Sequence, residues 1–238
     1  MTFKFLKMVL TTCRYAMCIS LGVLSVSGTA SATLIESIAA LEEGAMYRVL
    51  FVTSSKRDAT STDINVYNEF VSAAAINGSL TGSLGLTWKA LASTAATNAQ
   101  VNTEIYENDL NTVTMFNTFG GVIAKSGNDL WDGTLSASII GDEDGLDRMF
   151  EVWTGTDQFG GSHQTLGAGG TVAYGVTWQT DSKWVDERDG SLATYAFTLY
   201  GASIVVTKPL TEVPEPSSVI LLSLGLAVLS FARYRKQY

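Results

Sequence analysis

The order of apolar and polar positions predicts one main helix and a series of short strands between residues 47 and 209. Residues 47–53 are rich in β-branched and aromatic side chains, which is typical of a buried strand. From Ile64 to Ala75, apolar residues recur every three or four positions, as on one face of a helix. Asp63 offers a capping side chain before this stretch and Gly78 interrupts the pattern after it, so we predict a helix between them.

Shorter apolar stretches farther along the chain predict additional strands, at residues 86–92, 152–156, 172–178 and 195–206. Residues 113–124 resemble a hairpin with its turn at Gly120 and Gly121. Polar segments separate these strands, among them an acidic loop at residues 139–147. One main helix, short strands and long loops predict an α+β fold with a mostly antiparallel sheet over residues 47–209. Residues 33–46 show a modest helical pattern, and we expect them to form a lead-in segment.

Charge and cysteine content narrow the classes of function. Residues 33–213 carry nine basic and twenty-two acidic side chains, a net charge of −13. Such a surface repels phosphate backbones, so we expect no nucleic-acid partner, and it favours solubility. Both cysteines, Cys13 and Cys18, precede residue 33, so the predicted domain has neither disulfides nor cysteine chemistry.

The first 32 residues have the pattern of a secretory signal peptide. Lys4, Lys7 and Arg14 precede a short apolar run at residues 16–26. Small residues ending at Ala32 follow, which predicts cleavage between Ala32 and Thr33 after passage through the Sec export machinery. A permanent membrane helix is the alternative, which the shortness of the run and its small-residue ending disfavour.

The last residues form an extended linker and an apolar segment. Pro214, Glu215 and Pro216 lie in a linker at residues 210–216, and the two prolines cannot belong to a helix interior. The uncharged run that follows would make a helix of about 24 Å at 1.5 Å per residue, short of the ~30 Å hydrocarbon core. We therefore predict that residues 217–238 contain a transmembrane helix suited to temporary anchoring.

Arg233, Arg235 and Lys236 follow the apolar run directly, which places them in the cytoplasm by the positive-inside rule. The three parts together resemble the PEP-CTERM sorting signal of Gram-negative bacteria that make exopolysaccharide. This resemblance implies recognition by a membrane-embedded exosortase and cleavage near the Pro-Glu-Pro tripeptide. It also implies export across the inner membrane, transient anchoring and delivery to the cell surface or extracellular matrix. An ordinary C-terminal anchor after a proline-rich linker is the alternative.

A second resemblance concerns the domain itself and rests on four short segments: residues 49–53, 87–90, 129–133 and 152–156. They are similar to an uncharacterised exported bacterial family related to the endostatin and C-type-lectin-like fold. The resemblance implies that the first and last strands pair and bring the termini together. The disulfides usual in C-type lectins are impossible here, and the tripeptides Glu-Pro-Asn and Gln-Pro-Asp are missing from the sequence. The resemblance therefore implies a fold and does not by itself imply sugar binding.

The candidates for chemistry are few. His163 is the single histidine and lies in a glycine-rich stretch, which is poorly suited to hold a catalytic imidazole. Asp142, Asp144 and Asp147 form the densest carboxylate cluster, and calcium favours such oxygen ligands. The spacing does not fit an EF-hand, so a solvated acidic turn is the main alternative to a calcium site. We expect no other cofactor.

Tryptophan side chains stack well on sugar rings when they are exposed. Trp131 and Trp184 have charged neighbours, which marks them as candidates for exposure and ligand stacking. The sequence therefore predicts a non-enzymatic adhesion module that binds exopolysaccharide or another matrix component. A secreted hydrolase that uses the carboxylates of the acidic loop is the alternative, and a structural matrix component without a discrete ligand is a third.

Overall fold

The computed structural model describes residues 33–187 and 190–210. The predicted signal peptide, the Pro-Glu-Pro motif, the apolar tail and its basic residues lie outside these ranges. Within them, no helix has both the length and the apolar character needed to cross a membrane.

The described residues form four α-helices and ten strands. The helices are α1 (Leu34–Ala39), α2 (Ile64–Asn77), α3 (Ala99–Thr103) and α4 (Gly127–Leu130). The strands are β1 (Met46–Val52), β2 (Trp88–Ala90), β3 (Val113–Asn117), β4 (Val122–Ala124), β5 (Glu151–Trp153), β6 (Thr171–Val172), β7 (Tyr174–Val176), β8 (Ser191–Leu192), β9 (Thr198–Ser203) and β10 (Val206–Thr207). These elements confirm an α+β architecture.

Eight of the strands form one sheet, whose path runs β4-β3-β1-β9-β5-β7. The strand β10 pairs with the start of β1, and β2 pairs with β9. Among the described strands, β1 with β3 and β5 with β9 are the parallel pairs, and the rest are antiparallel. The predicted hairpin is confirmed by β3 and β4, whereas the predicted strand at residues 172–178 is divided between β6 and β7, which pair with different partners.

The central strand β1 is buried on both faces of the sheet. Val49 and Phe51 pack with α2 in one apolar cluster, and Leu50 and Val52 pack in a second cluster on the opposite face. Successive side chains of a strand point to opposite faces, so a continuous apolar run fits a strand that is covered on both sides. Close packing requires a glycine at position 201 on β9, because a Cβ there would lie 2.2 Å from the Phe51 ring.

The main helix α2 begins and ends as its sequence pattern predicts. The side chain of Asp63 accepts a hydrogen bond of 2.9 Å from the backbone N–H of Asn65. Tyr67, Val71 and Ala75 are buried against the sheet, at the spacing of one helix face. Gly78 ends the helix in an extended conformation and not in the left-handed one that favours glycine.

The lead-in segment packs on the domain. Thr33 and Glu36 form a capping box at the start of α1, and Leu34 is only 1% exposed in the core. Lys208 holds the end of this segment, because its ammonium group donates hydrogen bonds to the carbonyls of Ala39 and Leu41. The pairing of β1 with β10 brings the two ends of the domain together, as the second resemblance implies; the lectin-like fold itself stays a prediction.

Candidate functional site: a cleft beside the acidic loop

A cleft of about 320 Å³ lies between α2, the loop that follows β1 and the acidic loop. The wall formed by α2 consists of residues at the spacing i, i+3, i+4 and i+7, namely Phe70, Ala73, Ala74 and Asn77. The other walls are Ser54, Ser55, Gly78, Glu143 and Asp144. Because the alanine side chains are small, this face of α2 leaves space that longer side chains would fill.

Asp142 organises the acidic loop from within. Its side chain is fully buried, and its Oδ1 accepts hydrogen bonds from the backbone N–H groups of Asp144 and Leu146, at 2.9 and 2.8 Å. Its Oδ2 forms an ion pair of 2.7 Å with Nε of Arg148. A carboxylate with these partners stabilises the loop and is not available to a ligand.

The loop docks on the end of α2 through a close approach at Gly78. A Cβ at this position would lie 2.5 Å from Cβ of Glu143 and 2.6 Å from its carbonyl oxygen, so the packing requires glycine. That same carbonyl accepts hydrogen bonds from the backbone N–H groups of Leu80 and Thr81, at 3.2 and 3.0 Å. The position of the loop relative to the helix is therefore fixed by main-chain contacts.

The two carboxylates that line the cleft are fixed in different ways. Glu143 is 6% exposed, and its carboxylate accepts hydrogen bonds from the backbone N–H and the hydroxyl of Ser54. Asp144 is exposed, and its Oδ1 accepts from the backbone N–H and the hydroxyl of Ser79, at 2.7 and 2.9 Å. These bonds, with a smaller contribution from the charge of Arg148, hold the pKa of Asp144 below its usual range. Both groups thus present oriented oxygen acceptors.

The three carboxylates predicted to bind calcium have separate environments. Asp142 is buried and paired, Asp144 lies on Ser79, and Asp147 is exposed at the end of the loop, where its backbone pairs with Gly141. Across residues 33–187 and 190–210, no group of three or more acidic, histidine or cysteine side chains is arranged to hold a metal ion.

The prediction that Trp131 and Trp184 are exposed is wrong. They are 1% and 0% exposed, and their rings pack together with centroids 5.7 Å apart. The indole N–H of Trp131 donates to the carbonyl of Ile105 at 2.8 Å, and Trp184 also packs on Tyr200. Polar residues beside a tryptophan do not expose it, because neighbouring positions in a helical turn point in different directions. Trp178 is the tryptophan at the surface, with 43% of its area exposed.

His163 lies in an exposed loop, where its backbone N–H donates to the carbonyl of Gly155. It does not line the cleft, and its imidazole makes no hydrogen bond to any residue that the structure describes. The described residues therefore do not combine histidine with a serine and a carboxylate in the arrangement that nucleophilic catalysis uses.

Sequence reasoning missed Ser54, Phe70 and Glu143 as lining residues of one cleft. These positions are far apart in the chain, and only the fold brings them together. The density of carboxylates in the acidic loop did indicate this region, but it could not distinguish the buried Asp142 from the cleft-lining Glu143.

Comparison with known proteins identifies the end of the chain. Residues 212–236 match the PEP-CTERM protein-sorting motif, a match that includes Pro214, Glu215 and Pro216, the apolar run and the basic residues. No curated protein matches the chain significantly. The motif defines the class of protein: it implies export, a sorting step at the membrane and then delivery to the cell surface. The chain thus carries a PEP-CTERM sorting motif, and this motif implies recognition by an exosortase.

Proposed function

We propose that the domain of residues 33–210 is a non-enzymatic matrix-binding module that holds a polysaccharide chain in the cleft. The proposal is carried by the acceptor surface of Glu143 and Asp144, whose carboxylates are fixed by donors of the protein and retain lone pairs for a ligand. Sugar hydroxyls are suitable donors for such oxygens. The size also suits a saccharide, because small-molecule sites begin at about 300 Å³.

The walls of the cleft complement a sugar ring in polarity. Phe70, Ala73 and Ala74 supply apolar surface on the helix side, opposite the polar groups of the acidic loop. A sugar ring presents C–H groups on its faces and hydroxyls at its edge, so it contacts both kinds of wall. An aromatic side chain beside oriented acceptors supports saccharide binding without any role for the buried tryptophans.

The carboxylates of the acidic loop favour binding of a polysaccharide over its hydrolysis. A glycosidase needs one carboxylic acid that stays protonated, which requires a raised pKa. The pKa of Asp144 is shifted downward, and Asp142 is held by Arg148 and the loop backbone. The lowered pKa of Asp144 does not suit the acid role, and the buried Asp142 is paired with Arg148, so neither supplies the proton donor that the predicted hydrolase needs.

The sorting motif indicates where the domain acts after export. In this account the signal peptide is removed before Thr33, the tail is cleaved near Pro214–Pro216, and the domain stays in the extracellular matrix of a Gram-negative cell. Exopolysaccharide is then the proposed ligand, because the sorting signal resembles that of bacteria that make exopolysaccharide.

The test is a binding assay of the full chain, purified in detergent, with exopolysaccharide of the producing organism. We expect saturable binding, no new reducing ends, and at least tenfold weaker binding of Ala73→Leu, which fills the cleft with a good helix former. Asp147→Asn is the matched control, because this carboxylate does not line the cleft. Parallel titrations with calcium and with chelator test the calcium prediction. A native chain that binds no polysaccharide in either condition contradicts the proposal.

A further inference from the structure

The charged side chains among the described residues that line the cleft are all acidic. Glu143 and Asp144 are its ionisable lining groups, and no lysine, arginine or histidine is among the described residues that line it. Arg148, the cation that influences the Asp144 pKa, forms its ion pair with Asp142. The cleft therefore offers a ligand negative charge that no lining side chain neutralises.

Glu143 is unusual among the buried groups of the domain. Buried carboxylates are normally paired with a cation, because removing the charge from water is costly. Glu143 is 6% exposed, yet in the described part of the chain it accepts hydrogen bonds from Ser54 and forms no ion pair. A cationic group that enters the cleft would supply the partner that the protein does not.

The free acceptor positions fit an ammonium group. An ionised carboxylate has about four acceptor sites. Ser54 occupies one site on each oxygen of Glu143, and within the described ranges Oδ2 of Asp144 accepts no hydrogen bond. An ammonium group brings three donors and a positive charge, whereas a hydroxyl brings one donor and no charge.

We infer that the sugar unit in the cleft carries a protonated amine, so that the ligand is a polysaccharide containing unacetylated hexosamine. This inference rests on the proposed function, since it names the ligand class of the same cleft. The ammonium group lies between the carboxylates of Glu143 and Asp144, and the sugar ring lies along the wall of Phe70 and Ala73. A simple metal ion is a poorer fit, because the described residues gather no group of three metal ligands.

The experiment titrates the full chain in detergent by calorimetry at about pH 6, where an amine is protonated. Three probes are compared: a glucosamine tetramer, the N-acetylglucosamine tetramer and cadaverine. We expect the glucosamine tetramer to bind at least tenfold more tightly than either other probe, with an affinity that falls as salt is added. Equal binding of the acetylated tetramer overturns the role of the amine, and equal binding of cadaverine overturns the role of the sugar.

Variants then locate the site. Asp144→Asn should weaken glucosamine-tetramer binding about tenfold, while Asp147→Asn, an equal loss of charge in the same loop, should not change it. Ala73→Arg places a competing cation in the cleft and should abolish binding, whereas Ala73→Met, without the charge, should weaken it less. If Asp144→Asn and Asp147→Asn behave alike, the assignment to this cleft is overturned.

Failure of this inference is distinguishable from failure of the proposed function. Exopolysaccharide that binds the native chain but not Ala73→Leu, together with a glucosamine tetramer that does not bind, overturns the amine and keeps the matrix-binding role. Loss of binding to both the exopolysaccharide and the tetramer overturns both.

Discussion

Replacing Gly78 with alanine tests whether the acidic loop is fixed by its contact with α2. The backbone at Gly78 has φ −70° and ψ 140°, which alanine adopts without strain. The added Cβ would lie 2.5 Å from Cβ of Glu143 and 2.8 Å from Oγ1 of Thr81, so the loop must move. Movement breaks the hydrogen bonds from Leu80 and Thr81 to the Glu143 carbonyl.

Two such hydrogen bonds contribute about 2 kcal/mol to the free energy of unfolding. The lower chain entropy of alanine in the unfolded state offsets about 0.5 kcal/mol of this loss. We therefore expect Gly78→Ala to lower the free energy of unfolding by about 1–2 kcal/mol and Tm by about 2–8 °C. Polysaccharide binding should fall as well, because Glu143 and Asp144 move with the loop.

The assay is urea unfolding of the full chain followed by tryptophan fluorescence, which reports on the buried Trp131, Trp153 and Trp184. Gly170→Ala is the matched control, because a Cβ at Gly170 meets no atom within 4 Å. The control should stay within about 0.5 kcal/mol of the native chain. Equal unfolding curves for Gly78→Ala and the native chain would refute the fixed contact.

Three further predictions concern single side chains. Asp142→Ala should lower the free energy of unfolding by about 3 kcal/mol, because it leaves two loop amides and Arg148 without their acceptor. Asp147→Ala should have little effect, and the urea midpoints of the two variants measure this difference. Burial raises the pKa of Tyr67 to about 12, so the folded state holds this proton more tightly than the unfolded state. The contribution of this group to the free energy of unfolding is complete below about pH 10 and is lost as the pH rises toward 12. Tyr67→Phe should therefore show a shallower decline of the urea midpoint over this pH range, and a slope equal to that of the native chain would contradict the prediction. Trp178→Phe should remove much of the fluorescence that acrylamide quenches in the folded domain, while Trp131→Phe should not; a reversed result would restore the exposure first predicted for Trp131.

The elements that the sequence predicted well are those with a strong local pattern. The apolar run of β1 predicts a buried strand because both faces of that strand are covered. The helix α2 has an apolar face, a capping Asp63 and a stop at Gly78, and each of these signals agrees with the others. The glycine stop was predicted correctly, although its physical cause is the close approach of Glu143.

The cleft could not be predicted, because its walls come from three separate parts of the chain. Ser54 follows β1, Phe70 lies on α2 and Glu143 lies in a loop about seventy residues farther on. Local charge likewise did not reveal which carboxylates face a ligand. The exposure of Trp131 was predicted from its charged neighbours, but burial is decided by packing against residues such as Trp184 that are distant in sequence.

Backbone NMR of the isotopically labelled full chain, with and without exopolysaccharide, would show where the ligand lies. The amides of Ser54 and Ser79 are the informative ones, because they donate to the carboxylates of Glu143 and Asp144. We predict that these two resonances shift on binding, while those of Gly169 and Gly170 do not. Saturable binding that leaves Ser54 and Ser79 unchanged and shifts another surface would contradict the assignment of the cleft as the ligand site.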